Sequence, residues 1–452
     1  MDNLNTNIPM GASPAVDATV EYALGGVASD FRSTSGADIL ARWDEHQRWF
    51  DARLRHGVDP YCKRTQTGIA PSCAATLRDG GHVLSGVNFA SQDYLNLAAH
   101  PVIHDAAHGA IARYGVHSAG SAVLMGDTVL AERLERRIAE FLGYADCTLF
   151  PTGWAAGYGI VHTLAGRGDH VLLDVLAHAC LQEGARNSKA QVHSFPHLSN
   201  AAVLRRLERI RAEAPQAGIL VVTEGLCSMD SDVPDLAGLS TLCKAHRATL
   251  LVDVAHDLGA LGPAGRGHLG TYNLLGLADV VMGSFSKTFA SNGGFVATQA
   301  RSLKLGLRSG CGPLTFSNAL SPVQAAIVLA AFDVVDSEEG QARRDRLMQN
   351  VLRLRAGLTA AGFSVLGQPS AIVPVLLGEA ALSRLMTRHA LAGGALVNLV
   401  EHPAVPRNSC RWRLQVMADH RDEQIDRMVA IACAAREAAE AELAAMTAAR
   451  GV

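Results

Sequence analysis

The chain has 452 residues, 48% of them hydrophobic and 18% charged, with 43 glycines and a formal net charge of -3. That describes a globular protein of about two domains and excludes recruitment to nucleic acid or an anionic membrane by charge alone. No apolar run approaches the roughly 20 residues of a transmembrane helix, so no membrane span is expected.

The opening residues, MDNLNTNIPM, carry neither a basic stretch nor an apolar run, so no secretory signal is expected. The nine cysteines are scattered without a CxxC pair and read as reduced thiols of a cytoplasmic protein, with no metal site. Residues 1 to about 40, rich in Ala, Gly, Ser and Asp, read as a mobile arm with one short helix. A helix bearing Trp43, Trp49 and Phe50 follows. The segment VNFASQDYLNLAAHP then reads as a short strand and turn running into a helix. DTVLAERLERRIAEFLG is a strong amphipathic helix: Leu130, Leu134, Ile138, Phe141 and Leu142 form one stripe. Asp127 is placed to cap its start and Gly143 to close its end.

Four short apolar runs come next, HVLLDV at 170–175, GILVVTEG at 218–225, ATLLVDVAH at 248–256 and ADVVMGSFSK at 278–287, separated by helical patterns. This alternation predicts an α/β fold with a mostly parallel sheet covered on both faces. Ligands bind such sheets outside the carboxyl ends of the strands. Chemically capable residues gather there: Asp174 and His178, Glu224 and Ser228, Asp253 and His256, then Ser284, Ser286 and Lys287. Beyond about residue 325 the pattern becomes a long helical stretch from Pro322 past Leu354. Strand-like pieces (SVLG, AIVPVLLG, GALVNLV, RWRLQV) and an Ala/Glu-rich helix from Asp422 complete it. The expected division is an N-terminal arm and helices over 1–85, a large domain over 86–325 and a smaller α+β domain over 326–452.

Lys287 is the focus of the chemistry. In GSFSKTFASNGGFV it follows a buried strand, with Ser284 and Ser286 spaced to hold a phosphate. A lysine that forms a Schiff base must lose its proton part of the time, which burial near another cation favours. An isolated SxSK is weak evidence and reads first as a lysine at a loop surface. Its neighbours point to pyridoxal 5'-phosphate (PLP): Asp253 is positioned to keep a pyridine nitrogen protonated, and His256 to donate to the phenolic oxygen. In FPTGWAAGYG, Thr152, Gly153 and Trp154 offer backbone N–H groups at a helix N-terminus, a natural phosphate cradle. A helix cap, a core histidine and a plain glycine turn are the simpler readings of these three features taken singly.

From about residue 86 to 430 the chain resembles the α-oxoamine synthase family of fold-type I PLP enzymes. The motifs NFASQDYLNLAAHP, FPTGWAAG, LAHACLQEGAR, TEGLCSMDSDVPDL, LLVDVAHDLGALGPAGRG, GSFSKTFASNGG and RWRLQVMADH carry the resemblance in order and spacing. GW, AH..L.EGAR and KTFA are most similar to the members that make α-aminoketone or hydroxyketone autoinducers. The resemblance implies that Lys287 is the Schiff-base lysine and the base at the amino-acid Cα. It implies that His178 stacks on the ring and that Ser228 lies near the phenolic oxygen. Gly153, Trp154, Ser284 and Ser286 would hold the phosphate, and Arg411 would bind the amino-acid carboxylate. Gln92 and Tyr94 would line the amino-acid or acyl channel. Ser317 and Asn318 would reach the neighbouring subunit's phosphate, so a homodimer with shared active sites is expected. The chain departs from the family pattern at Ala122, Ala131, Gln92 and Asn96, which puts the substrates in doubt more than the cofactor.

The implied reaction condenses an amino acid with an acyl thioester, on coenzyme A or a carrier protein, and loses CO2 to give an α-aminoketone. A fold-type I aminotransferase or aldolase, which needs no thioester, is the rival enzyme. A non-catalytic subunit that keeps the fold is the rival of another class.

Overall fold

In a computed structural model describing residues 19–78 and 83–450, the four apolar runs become the middle of a seven-stranded sheet. The first part of the expected arm, residues 1–18, lies outside the described residues. The strands are β1 (Asp146–Phe150), β2 (His170–Asp174), β3 (Gln191–Phe195), β4 (Ile219–Glu224), β5 (Thr249–Asp253), β6 (Val280–Ser284) and β7 (Gly294–Thr298). Their order is β1-β7-β6-β5-β4-β2-β3. Only β7 runs against its neighbours, pairing antiparallel with β1 and β6. Every residue of β2, β4, β6 and β7 is buried, because helices pack on both faces. That double cover is why the runs are continuously apolar instead of alternating. β3 is an edge strand with Gln191, Val192 and Ser194 exposed, and its mixed sequence carries no such signal.

The amphipathic helix spans Val129–Leu142 and closes on Gly143 at φ 75°. Its cap is Thr128, whose Oγ1 accepts from the Ala131 N–H at 3.1 Å. Asp127 does not cap it; its carboxylate pairs with Arg308 at 2.7 Å. The long helical stretch is two helices, Pro322–Val335 and Glu338–Ala360, parted where Ser337 caps the second through the Gly340 N–H.

Beyond them an antiparallel sheet orders Ser364–Val365, Ile372–Gly378, Cys410–Gln415 and Leu399–Val400, and the long helix Asp422–Arg450 closes the chain. The piece GALVNLV divides. Ala395–Leu396 leaves this sheet and pairs in parallel with Val83–Asn88, which also pairs with Ser72–Thr76. The segment before residue 86 is therefore joined to the C-terminal region. Buried Glu401 strengthens the join by accepting from Arg53 at 3.0 Å and Arg384 at 2.6 Å, while Arg384 also reaches the Leu24 carbonyl. Among the described residues, no helix is long and apolar enough to cross a membrane.

Candidate active site

Six strands end on one edge of the sheet, and their carboxyl ends bring the chemistry together. A cavity of about 250 Å³ opens there, lined by Gly153, Trp154, His178, Asp253, His256 and Lys287 among others. Gly153 and Trp154 begin the helix Gly153–Leu164 directly after β1. Thr152 Oγ1 is committed to the Ala155 N–H at 3.0 Å, so the first-turn N–H groups of Gly153 and Trp154 remain for an anion. Ser284 and Ser286 complete this corner with hydroxyls 2.7 Å apart. Glycine is required at 153, because a Cβ there would lie 2.5 Å from Ser284 Cβ and Oγ.

Asp253 ends β5 and is buried, with its Oδ1 accepting from the Ala255 N–H at 2.9 Å. Among the described residues it has no ion-pair partner. Glu224, its neighbour across the β4–β5 ladder, accepts from the Ser228 N–H at 3.1 Å, and its Oε1 has no hydrogen-bond partner among the described residues. Burial raises both carboxyls, and the charge of Asp253 adds to the effect on Glu224. Lys287 is half-buried as a residue. Desolvation pulls its amine below the ordinary lysine value, Asp253 opposes that pull and Arg413 adds to it.

His178 caps the helix Ala179–Asn187 and meets Trp154 edge to face, with ring centroids 5.9 Å apart. Burial, then the charges of Lys287 and Arg413, push its imidazole down to about 4. His256 is buried and engaged at both ring nitrogens: Nε2 lies 3.3 Å from Arg413 Nη2 and Nδ1 lies 2.9 Å from the Tyr94 hydroxyl. A guanidinium can only donate, so Nε2 accepts and Nδ1–H is left for Tyr94. The Nδ1–H that a phenolic oxygen would take is directed here to the Tyr94 hydroxyl.

Other expected residues fall outside the cavity. Ser228 is buried beside it, its N–H on Glu224 and its carbonyl on Arg413 Nε. Gln92 lines an adjoining space of about 430 Å³ that shares Ser286 and Lys287. Ser317 and Asn318 sit on a surface loop held by the Ala319 N–H to Gly120, away from the cavity lining of this chain. Arg411, expected at the amino-acid carboxylate, is ion-paired with Asp230 and hydrogen-bonded to the Ser409 carbonyl. The arginine at the cluster is Arg413, two residues on and on the same face of the strand. Asn96, where the family pattern has glycine, adopts φ 54°, a left-handed conformation that asparagine tolerates.

Residues 85–431 match the aminotransferase class I and II family. The chain belongs to that family. One relative is the 8-amino-7-oxononanoate synthase of Geobacter sulfurreducens, 38% identical over 341 residues, 75% of this chain and 86% of the relative. Another is the 2-amino-3-ketobutyrate coenzyme A ligase of Salmonella typhimurium, 34% identical over 356 residues, 78% of this chain and 87% of the relative. The solved serine palmitoyltransferase of Sphingomonas wittichii matches with a TM-score of 0.83 at 30% identity, covering 90% of this chain and all of that one. A structure of serine palmitoyltransferase with PLP matches with the same TM-score and identity, over 89% of this chain and 99% of that one. Within the aminotransferase class I and II family this member is thus a PLP-dependent α-oxoamine synthase-type enzyme with the fold-type I architecture.

The residues of this family member fit PLP. An anion cradle, a buried carboxylate lacking a cation and a lysine of lowered basicity face one cavity. Sequence reasoning missed Arg413 and Cys180. Both stood inside motifs already singled out, RWRLQV and LAHACL, and both arginines are buried; what separates Arg411 from Arg413 is its ion pair with Asp230.

Proposed function

We propose that this protein is an acyltransferase that condenses an amino acid with an acyl thioester and releases CO2 and thiol to give an α-aminoketone. The observation that carries the reading is Arg413. It is buried and, among the described residues, has no carboxylate partner, although it lies beside His256 and lowers the basicity of Lys287. A desolvated guanidinium without an anion is a receptor for one, and the amino-acid carboxylate supplies it. Arg411 is already neutralised by Asp230 and is not needed for this role.

Bound PLP supplies an electron sink for the charge left when the Cα–H bond breaks. Asp253 stabilises positive charge at the ring nitrogen, and the first turn at Gly153 and Trp154, with Ser284 and Ser286, holds the phosphate. Lys287 takes the Cα proton, for which its lowered basicity suits it. Tyr94 and Arg413 hold His256 from opposite ring nitrogens, and His178 covers the cavity as a neutral ring. The Cα carbon then bonds to the acyl carbon, the C–S bond breaks and the thiol leaves. Relatives named as a coenzyme A ligase and a palmitoyltransferase support an acyl thioester as the second substrate.

A homodimer completes this reading. Phe316 is 89% exposed and Met125 91%, on two loops joined by the Ala319–Gly120 hydrogen bond. Covering that apolar patch with a second copy would set Ser317 and Asn318 at the partner's site. The nine free cysteines suit a reducing, cytoplasmic setting. The deciding assay follows free thiol from acyl-CoA with and without amino acid. Release that needs both substrates and vanishes in Lys287→Ala is expected; turnover of the amino acid without thiol release would refute acyl transfer.

A further inference from the structure

Cys180 stands two residues after His178, in the first turn of the helix that His178 caps. Its Sγ lies 3.0 Å from His178 Nδ1, and its backbone N lies 3.3 Å from the same atom. An amide N–H can only donate, so Nδ1 must be the unprotonated nitrogen of the ring. The thiol is buried and lines the same cavity. Burial, then the charges of Asp253 and Glu224, push its pKa up, so it keeps its proton and has an S–H to give. The fold makes room for this sulfur. A Cβ on Gly157 would sit 2.4 Å from Cys180 Sγ, so the neighbouring helix carries glycine where it passes the thiol.

We propose that Cys180 is a positioning residue that fixes His178 as its Nε2–H tautomer, a role that rests on the reading of His178 as the residue facing the cofactor. Two donors converge on Nδ1, one from the main chain and one from the thiol. The remaining ring nitrogen must carry the proton. With its basicity lowered to about 4, the ring stays neutral across the neutral range and offers the cavity one donor, Nε2–H. It therefore acts as a hydrogen-bond donor and leaves proton removal at Cα to Lys287. The backbone N–H, at 3.3 Å, is long for an amide donor, so the thiol reinforces a hold that is weak on its own. A serine at 180 would keep a side-chain donor; an alanine would not.

The test is the 15N spectrum of histidine-labelled holoenzyme, with the His178 signals assigned by their loss in His178→Gln. In the wild type, Nδ1 is expected unprotonated and Nε2 protonated across the neutral range, and Cys180→Ser should match it. In Cys180→Ala a population with Nδ1–H should appear, and kcat should fall about two- to fivefold, the worth of one modest hydrogen bond, with KM for the amino acid unchanged. Cys180→Ser separates loss of the donor from loss of packing, since it restores the tautomer only if the donor matters. A wild-type ring protonated at Nδ1, or Cys180→Ala with wild-type tautomer and kcat, overturns the proposal. The tautomer is read without turnover, so an error in the assigned reaction would leave this result standing.

Discussion

Replacing each of the two arginines of RWR in turn separates the substrate receptor from the ion pair that joins the C-terminal sheet to the loop after β4. Arg413 is 8% exposed, has no anionic partner among the described residues, and touches Ser228 O and His256. A carboxylate bound by its fork gains charge-assisted hydrogen bonds worth about 1.5–3 kcal/mol. At about 1.4 kcal/mol per tenfold, Arg413→Ala should weaken amino-acid binding about 10- to 150-fold. Arg413→Lys keeps the charge and loses the fork, so it should fall between wild type and alanine. Arg411 makes its ion pair with Asp230, whose side chain is 20% exposed, so Arg411→Ala leaves a carboxylate that water can reach. It should lower thermal stability and change amino-acid binding less than about threefold. The assay is titration of holoenzyme with amino acid, followed by cofactor absorbance, alongside kcat and KM. An Arg411→Ala defect in binding as large as that of Arg413→Ala would refute the assignment.

Gly153→Ala places a methyl against Ser284 and should weaken PLP binding at least about tenfold, measured by cofactor fluorescence on the apoprotein. Glu224 has its folded pKa raised, so the folded apoprotein holds a proton that the unfolded chain releases. Its stabilising contribution is complete below the ordinary value of 4.5 and is lost as pH rises toward about 8. The melting temperature of Glu224→Gln minus that of wild type should therefore rise across this window; a flat difference would contradict the raised pKa. Phe316→Asp puts a charge into the exposed apolar patch and should shift the protein from dimer to monomer in sedimentation, with loss of activity that mixing with a Lys287→Ala chain does not restore.

The parts of the fold legible in the sequence were those with a continuous physical cause. β2, β4, β5 and β6 lie within the four predicted runs, because strands buried on both faces must be apolar throughout. β1 and β7 were not anticipated: DCTLF and GFVAT mix polar, glycine and apolar positions instead of forming an apolar run, and Gly294 is in β7 because a side chain there would strike the Gly153 Cα at 2.7 Å. Capping by Asp127 failed for a local reason. Thr128, one residue later, has the extended backbone a cap needs, and the aspartate is drawn to Arg308. At the site, strand ends identified Asp253, His256 and Lys287, since topology alone gathers them. Arg411 and Arg413 share a strand face, and spacing cannot say which is neutralised by Asp230, on a loop 181 residues earlier.

The site is best understood through the partners its groups lack. The N–H groups at Gly153 and Trp154 call for an anion, Asp253 for a cation and Arg413 for a second anion. Holding Asp253 and Arg413 out of water costs free energy that folding elsewhere must offset. A phosphate-bearing pyridinium satisfies the first two, and an amino-acid carboxylate the third, so both ligands recover part of that cost on binding. These demands come from different parts of the chain. The phosphate corner and Asp253 belong to the large sheet, while Arg413 belongs to the C-terminal sheet and is hydrogen-bonded to the former's side through Ser228 O and His256. The loop after β4 joins the two: Ser231 bonds to Ser370 at 2.7 Å and to the Gln368 carbonyl at 2.8 Å, next to the Asp230–Arg411 pair. The cofactor contacts that one chain supplies therefore lie at the large sheet, whereas amino-acid binding depends on how the C-terminal sheet is held against it. Loosening that loop should raise KM for the amino acid while leaving PLP affinity unchanged.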